Sequence, residues 1–405
     1  VAQVASAAPL ARSPDAVRAE RRAWLVIWLA FATFCLLLAS AVKYLVDYVT
    51  TAEIDLVAGV EVPRGTIFVQ TPGGPKYQLA ASELAVGTVI EPSRGSNPPA
   101  SVRLHLFDDS RVIAEAGSAL ELVRMDVGRF INQRTIMLRQ TDGPVHYQAD
   151  GEIHVQVPNG MVRMHDADTT VWVDGDRTTV LVYSGAAHVE SGSSSADIDT
   201  DQRAEFGVDH VITRGDRAEQ LLPDGDFADQ DDSWQPHDDQ NGPKDVAGVR
   251  DLNTQLVDGV SMPVLRITRN SVTQAHGETG LEQKLNIPVS GYRHLWLDAW
   301  IRVDHQSLSG GGQLGSEYPM MFALEYEGTQ EGSAPNWYHG FYAANPEGLR
   351  VDQGQEVPLG EWINYRIDLM TQEDLRKPYR ITKLTVMGQG HSYDARVANI
   401  RLIGE

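Results

Sequence analysis

Hydrophobic and polar positions follow two regimes along this chain. From Ala23 to Val42, twenty residues pass without a charge. As a helix, that run is long enough to cross a hydrocarbon core of roughly 30 Å. The apolar pattern continues through Lys43-Tyr44-Leu45-Val46-Asp47-Tyr48, which extends the predicted helix to residue 49. Beyond residue 52 the pattern changes. Short stretches alternate apolar and polar residues between Gly, Pro, Asn and Asp, the period of half-buried strands. The expected fold is mainly β: one N-terminal transmembrane α-helix (23–49), an all-β domain (52–213), a linker (214–220) and a C-terminal β-sandwich (221–405).

The flanks of the apolar run fit a membrane anchor. Trp24 and Trp28 at one end, and Tyr44 and Tyr48 at the other, match the two interfacial aromatic belts. Phe31 and Phe34 supply bulk for lipid or a neighbouring helix. Ala32, Ala39 and Ala41 are small residues where backbones approach closely, although no GxxxG pattern is present. Arg12, Arg18, Arg21 and Arg22 precede the run, opposed only by Asp15 and Glu20. Residues 1–22 are therefore expected to be a cytoplasmic tail, with the bulk of the chain outside the cell membrane. Ser13-Pro14 reads as the helix start, with Ser as cap and Pro in the first turn. Ala39-Ser40-Ala41 resembles a leader cleavage site, but a leader has a shorter apolar region, so the helix is read as retained.

In the first exported domain, the alternating stretches are Thr66–Val69, Val102–Leu106, Arg111–Ala114, Thr135–Gln140, Ile153–Val157, Thr170–Val173, Thr179–Tyr183 and Ala187–Val189. Pro158-Asn159-Gly160, Asp174-Gly175 and Ser184-Gly185 are read as reversals between them. His105, His146, His154 and His188 are read as lying in alternating strands, where an outward polar face accounts for them. His165, Asp166 and Asp168 form a local group that could hold a cation, with a solvated turn as the plainer account.

The segments "VRLHLFDDSRVIAEAGSALELVRM", "RTIMLRQTDGPVHYQ", "VQVPNGMVRMHDADTTVWVDGDRTTVLVYSGAAHVE" and "DQRAEFG" resemble the FecR-type domain of bacterial envelope proteins. The resemblance runs from about Val86 to Gly207. It implies an all-β interaction domain without catalytic residues. Sensor members of that family carry a cytoplasmic domain that holds a sigma factor. The 22 residues expected inside are too few to fold alone, so FecR-type signalling ranks third among the functional readings.

The second domain opens with "LLPDGDF" and "SW", carries a "GLEQKL" strand and closes with "DARVANIRLIG". These segments resemble the galactose-binding-type jelly roll of carbohydrate-binding modules, over residues 221–405. That resemblance implies a fold used both for glycan recognition and as glue between proteins. In His294–Arg302, alternation puts Leu295, Leu297, Ala299 and Ile301 on one face and Trp296, Asp298, Trp300 and Arg302 on the other. Aromatic planes beside polar forks suit a glycan; the competing account is packing under a loop or against the first domain. Trp337, Tyr338, Phe341 and Tyr342 form a second aromatic group. Asp224, Asp226 and Asp394 are a candidate structural calcium set, since members of this fold often hold such an ion and oxygen ligands suit it. An ordinary acidic turn is the alternative. The acidic stretch from Asp229 to Asp251 is read as solvated surface. Glu282, Glu325, Glu327 and Glu361 are the carboxylates from which an acid–base pair for glycoside cleavage would have to come.

Composition narrows the functional classes. The net charge is −21 over 405 residues, and such a surface repels phosphate backbones, which argues against nucleic acid. The single cysteine, Cys35, sits in the apolar run, so no intrachain disulfide is possible. Nothing matches a nucleophile elbow, a zinc-protease helix or a phosphate loop. The chain is therefore read as a non-enzyme, a single-pass scaffold subunit attached to another membrane or envelope protein. The alternative is a surface protein that binds wall or exported polysaccharide. No cofactor is implied beyond the candidate calcium.

Overall fold

The structure is a computed structural model that describes residues 14–51, 53–79, 82–95, 100–128, 134–228, 233–239, 246–328, 336–372, 375 and 377–405. Two compact units emerge, Val1–Asp55 with Asp126–Thr135, and Leu56–Met125 with Ile136–Glu405. The first unit contains a helix, Pro14–Thr51. Its Leu- and Ala-rich interior favours helix, and the Arg21–Val49 stretch is long and apolar enough to cross a membrane. All side chains from Arg21 to Tyr48 are exposed, including Trp24, Trp28, Phe31, Phe34, Tyr44 and Tyr48. Arg12 and the expected cap Ser13 lie outside the described residues. In the same unit, Glu53–Asp55 pairs antiparallel with Asp126–Gly128.

The second unit carries both β-domains. In the first, alternation builds a continuous ladder from Ala58–Arg64 to Thr213–Asp216. Its buried face includes Val102, Leu104, Val112, Leu120, Leu138, Tyr147, Val155, Val171 and Val189. The centrepiece is a long hairpin, Gly160–Asp174 against Arg177–Ser191, closed at Asp174-Gly175 as expected. Ser184-Gly185 is not a reversal. One strand runs through it, and the pairing shifts register between His165 and Thr169 opposite. Gly185 sits at φ +75°, and a Cβ there would meet the Asp166 carbonyl oxygen at 2.4 Å. A bulge that presses two backbones together looks like a turn in sequence, because both require glycine.

The same bulge separates the residues read as a cation group. His165 and Asp166 point to solvent, while Asp168 takes the fork of Arg293 from the second domain. Nor is His146 on an outward face. It is 8% exposed and its Nδ1 lies 2.6 Å from the Thr170 hydroxyl. Burial, with Lys377 and Arg293 nearby, pushes its pKa down to about 3, so the ring is neutral.

The second domain is a two-sheet sandwich whose strands are numbered here from its own start. They are β1 (Gln235–Asp239), β2 (Val249–Val257), β3 (Val260–Asn270), β4 (Gly277–Pro288), β5 (Leu295–Gln306) and β6 (Met320–Gly328), then β7 (Asn336–Tyr342), β8 (Gly354–Glu356), β9 (Ile363–Asp368), β10 (Pro378–Gly390) and β11 (Ser392–Gly404). The first sheet has the order β2-β3-β11-β5-β9 and the second the order β1-β4-β10-β6-β7-β8. Leu295, Leu297, Ala299 and Ile301 point inward from β5, as the alternation predicts, to meet Phe322, Leu324, Leu384 and Val386.

The linker is structured. Thr213–Asp216 closes the first ladder, and Glu219–Gln220 pairs with Gly404 and Ile403 of β11. Trp172 and Leu181, which belong to the first domain by sequence, are buried in the core of the second. The Trp172 ring meets Tyr292 edge-on at 5.8 Å, and the Tyr292 hydroxyl donates to Glu219. The two β-domains therefore share apolar packing.

Candidate functional site

The outer face of the second sheet gathers chemistry from four strands. Register places His237 of β1 opposite Gly280 of β4, with Glu278 and Glu282 two residues to either side. Glu282 lies beside Thr385 of β10, Thr385 beside Ala323 of β6, and Ala323 beside Tyr338 of β7. Alternation puts all these side chains on the same face.

A chain of polar contacts crosses this face. Glu325 contacts Lys383 Nζ at 2.6 Å, and Lys383 reaches Glu282 at 3.4 Å. Glu282 meets His237 Nδ1 at 3.1 Å, and His237 Nε2 meets Glu278 at 3.1 Å. Glu278 lies 3.6 Å from His276 Nε2, whose Nδ1 is 2.8 Å from Glu317. A ring with a carboxylate at each nitrogen donates from both, which is the imidazolium form. The bond to Glu278, reinforced by Glu282, raises the His237 pKa above 6.5 against its partial burial. His237 in turn lowers that of Glu278. Partial burial would raise Glu282, but His237 and Lys383 outweigh it and hold the carboxyl below its usual range. Burial pulls Lys383 down, and Glu325 and Glu282 more than restore it.

Tyr338 is half-buried on this face, beside Met321 and Met387, which are buried. A groove of about 290 Å³ is lined by His237, Glu278, Met321, Tyr338, Lys383 and Met387, among others. Beside it the Tyr318 ring lies flat on Gly340, where a Cβ would come within 2.0 Å of the ring. Tyr342 packs on Tyr318 with centroids 6.4 Å apart. Tyr338 also borders a second hollow of about 750 Å³, lined by Gln313, Leu314, Arg350, Gln353, Thr371 and Gln372 among others.

The residues singled out in sequence have other surroundings. Trp296, Asp298, Trp300 and Arg302 do share the outer face of the first sheet, but each is occupied. Trp296 is stacked by the His294 ring, with the Arg366 guanidinium 4.4 Å from its centroid. Asp298 is buried, 3.0 Å from Arg401. Trp300 packs with Val257, Val264 and Ala398 beneath the β2–β3 hairpin, and Arg302 donates to Asp304 at 2.8 Å. Trp337 is 2% exposed in the sandwich core, on the opposite side of β7 from Tyr338 and Tyr342. Of the second aromatic group, Tyr338 and its neighbour Trp337 line the groove, and the Trp337 side chain is turned into the core.

The expected calcium set is not assembled. Asp394 takes a two-pronged bond from Arg266. Gly225, between Asp224 and Asp226, accepts instead from Ile400, six residues further along β11, roughly 20 Å of strand. Among the described residues no group of three or more candidate ligands could hold a metal ion. Parts of the Asp229–Asp251 stretch lie outside the described residues.

No family model and no curated protein matches this sequence. Solved structures do show partial likeness. A proposed anti-sigma factor from Parabacteroides distasonis is 13% identical over 32% of this chain, with a TM-score of 0.26; the chain spans 59% of that protein. The family 11 carbohydrate-binding module of a cellulosomal cellulase from Clostridium thermocellum is 14% identical over 46% of this chain and 95% of its own, with a TM-score of 0.27. An exo-beta-agarase is 12% identical over 46% of this chain and 25% of its own, with a TM-score of 0.30. Likeness at this level is too slight to carry an argument about activity.

Proposed function

We propose that this chain is a membrane-anchored, non-catalytic glycan-binding protein that holds its ligand on the outer face of the second sheet. The reading rests on one observation: a concave groove where Tyr338 and two methionines adjoin a linked series of carboxylates, lysine and histidine. Sugars present apolar C–H faces and rings of hydroxyls. Aromatic surface takes the first, and fixed acceptors and donors take the second. The alternative that sequence placed second thus moves ahead, with a different binding face from the one Trp296 and Trp300 suggested.

The electrostatics favour binding without turnover. Glycoside cleavage needs one carboxyl with a raised pKa as acid and a second as base or nucleophile. Glu282 is held low by Lys383 and His237, and Lys383 also occupies Glu325. The Arg21–Val49 helix serves as the anchor in this reading, with the arginine-rich side inside. A scaffold role stands second, favoured by the exposed apolar side of the β2–β3 hairpin, where Leu252, Leu256 and Val260 face solvent.

The test is calorimetry of the full chain in detergent against a set of soluble polysaccharides. Binding that Tyr338→Ala weakens about tenfold or more, roughly one lost stacking contact, supports the proposal. A chain that binds none of them, or that loses none of its binding with Tyr338→Ala, overturns it.

A further inference from the structure

Resting on that reading, we infer that the ligand is an uncharged polysaccharide and that its chain passes over Tyr338 into the hollow at the edge of β7, which acts as a second subsite. Two observations carry this. The first is the state of the cations. Lys383 is held by Glu325 and Glu282, and His237 by Glu282 and Glu278. Arg350, on the rim of the hollow, is held by Asp352 at 2.7 Å. An anionic sugar would have to displace a carboxylate to reach either ring nitrogen of His237, and in the groove it would approach more acids than bases; the exposed Arg350–Asp352 pair at the rim adds little either way. The carboxylates are themselves tied into the linked series, so a cationic sugar would compete with Lys383 and His237 for them. A hydroxyl displaces nothing. It takes the lone pairs those carboxylates have left, since each oxygen accepts more than one bond.

The second observation is the lining of the edge hollow. Among the described residues β8 pairs with β7 over Gly340–Tyr342, and the hollow lies beside the earlier part of β7. Its polar lining combines four neutral groups, Gln313, Gln353, Gln372 and Thr371, with His339 and the Arg350–Asp352 ion pair. Amides both donate and accept, which matches a hydroxyl and gives no grip on a charge. Leu314 stands at the rim, 81% exposed, on a turn fixed by Gly315 at φ +71° and by the bond from the Tyr318 hydroxyl to the Gly315 carbonyl. An apolar side chain over a ring of amides meets the C–H face of a sugar whose hydroxyls point at the amides. Tyr338 borders both compartments, so a ligand filling both must cross it and must be longer than one sugar.

The experiment uses the full chain in detergent and measures affinity by calorimetry. The probes are oligomers of two and six units from a neutral glucan, a polyuronate and a polyglucosamine. The neutral hexamer is expected to bind at least tenfold tighter than the dimer. Gln372→Ala, at a residue that lines the edge hollow and not the groove, should pull the hexamer toward the dimer and leave the dimer unchanged. Equal affinity for neutral dimer and hexamer, unmoved by Gln372→Ala, would overturn the second subsite while leaving the groove as the binding site. Tighter binding of the polyuronate or the polyglucosamine would overturn the uncharged class and leave glycan binding standing. Failure to bind any carbohydrate would overturn this inference together with the reading beneath it.

Discussion

The guanidinium of Arg293 lies 3.7 Å from the ring centroid of Tyr183. Arg293 belongs to the sandwich and Tyr183 to the preceding β-domain. The same guanidinium holds Asp168 with both prongs, and Arg217 stacks 4.7 Å from the ring on Tyr183 as well. Together with Trp172 in the sandwich core, this joint couples the two β-domains mechanically.

Such coupling predicts one unfolding transition for the β-domains. Arg293→Ala removes a cation–π contact and leaves Asp168 without its fork, a loss of about 2 kcal/mol. Trp172→Ala leaves a cavity in the neighbouring domain's core and should cost about 3–5 kcal/mol. Both variants should lower a single midpoint in denaturant, followed by tryptophan fluorescence and far-ultraviolet circular dichroism. Two separate transitions in the unaltered protein would refute the shared core.

His237 gives a pH dependence with a definite sign. Its folded pKa is raised above 6.5, so its contribution to stability is complete below 6.5 and disappears as pH rises through the raised value. Glu278 is lowered from 4.5, so its share is present above 4.5 and is lost as pH falls toward the lowered value. The pair therefore contributes most between those limits. Midpoints measured from pH 6 to 9 should decline in the unaltered protein and decline less in His237→Gln. Identical slopes would show that the ring is not charged.

His146 behaves oppositely. With its folded pKa near 3, it stays neutral while an unfolded chain takes up a proton below about 6.5. It therefore lowers stability as pH falls from 6.5 toward 3. Imidazole resonances should show one histidine that does not titrate down to about pH 4, and that signal should vanish in His146→Gln. A midpoint near 6.5 for every histidine would contradict the burial.

What sequence conveyed and what it concealed follow from the same geometry. Alternation is local, so the inward set Leu295, Leu297, Ala299 and Ile301 was legible, as was the long apolar helix. It says which residues share a face and not which strands become neighbours. Glu282 and Lys383 meet because β4 lies beside β10, about a hundred residues later. The "E-T-G-L-E" of β4 did carry a signal: two carboxylates flanking a glycine on one face of a strand. The tryptophans follow the packing account and not the glycan account, for a related reason. Trp296 and Trp300 face outward as read, but His294 and the β2–β3 hairpin cover them. Cover supplied from elsewhere in the chain leaves no local trace.

The anchor gives the last prediction. Twenty-nine residues, Arg21–Val49, form the span candidate, and the arginines lie at or before its start. A leader would be cut near Ala39-Ser40-Ala41, and the mature chain would then leave the membrane in carbonate. A retained anchor keeps the chain in the membrane until detergent is added. The arginine asymmetry is expected to set direction, because each positive charge resists export. Replacing Arg18, Arg21 and Arg22 together with Glu should reduce the fraction inserted with its β-domains outside, read by protease added to spheroplasts. Carbonate release of a shortened chain would convert the anchor into a leader. Protection of residues 52–405 in the unaltered protein would reverse the orientation and place the proposed binding groove on the wrong side of the membrane for a wall or exported polysaccharide.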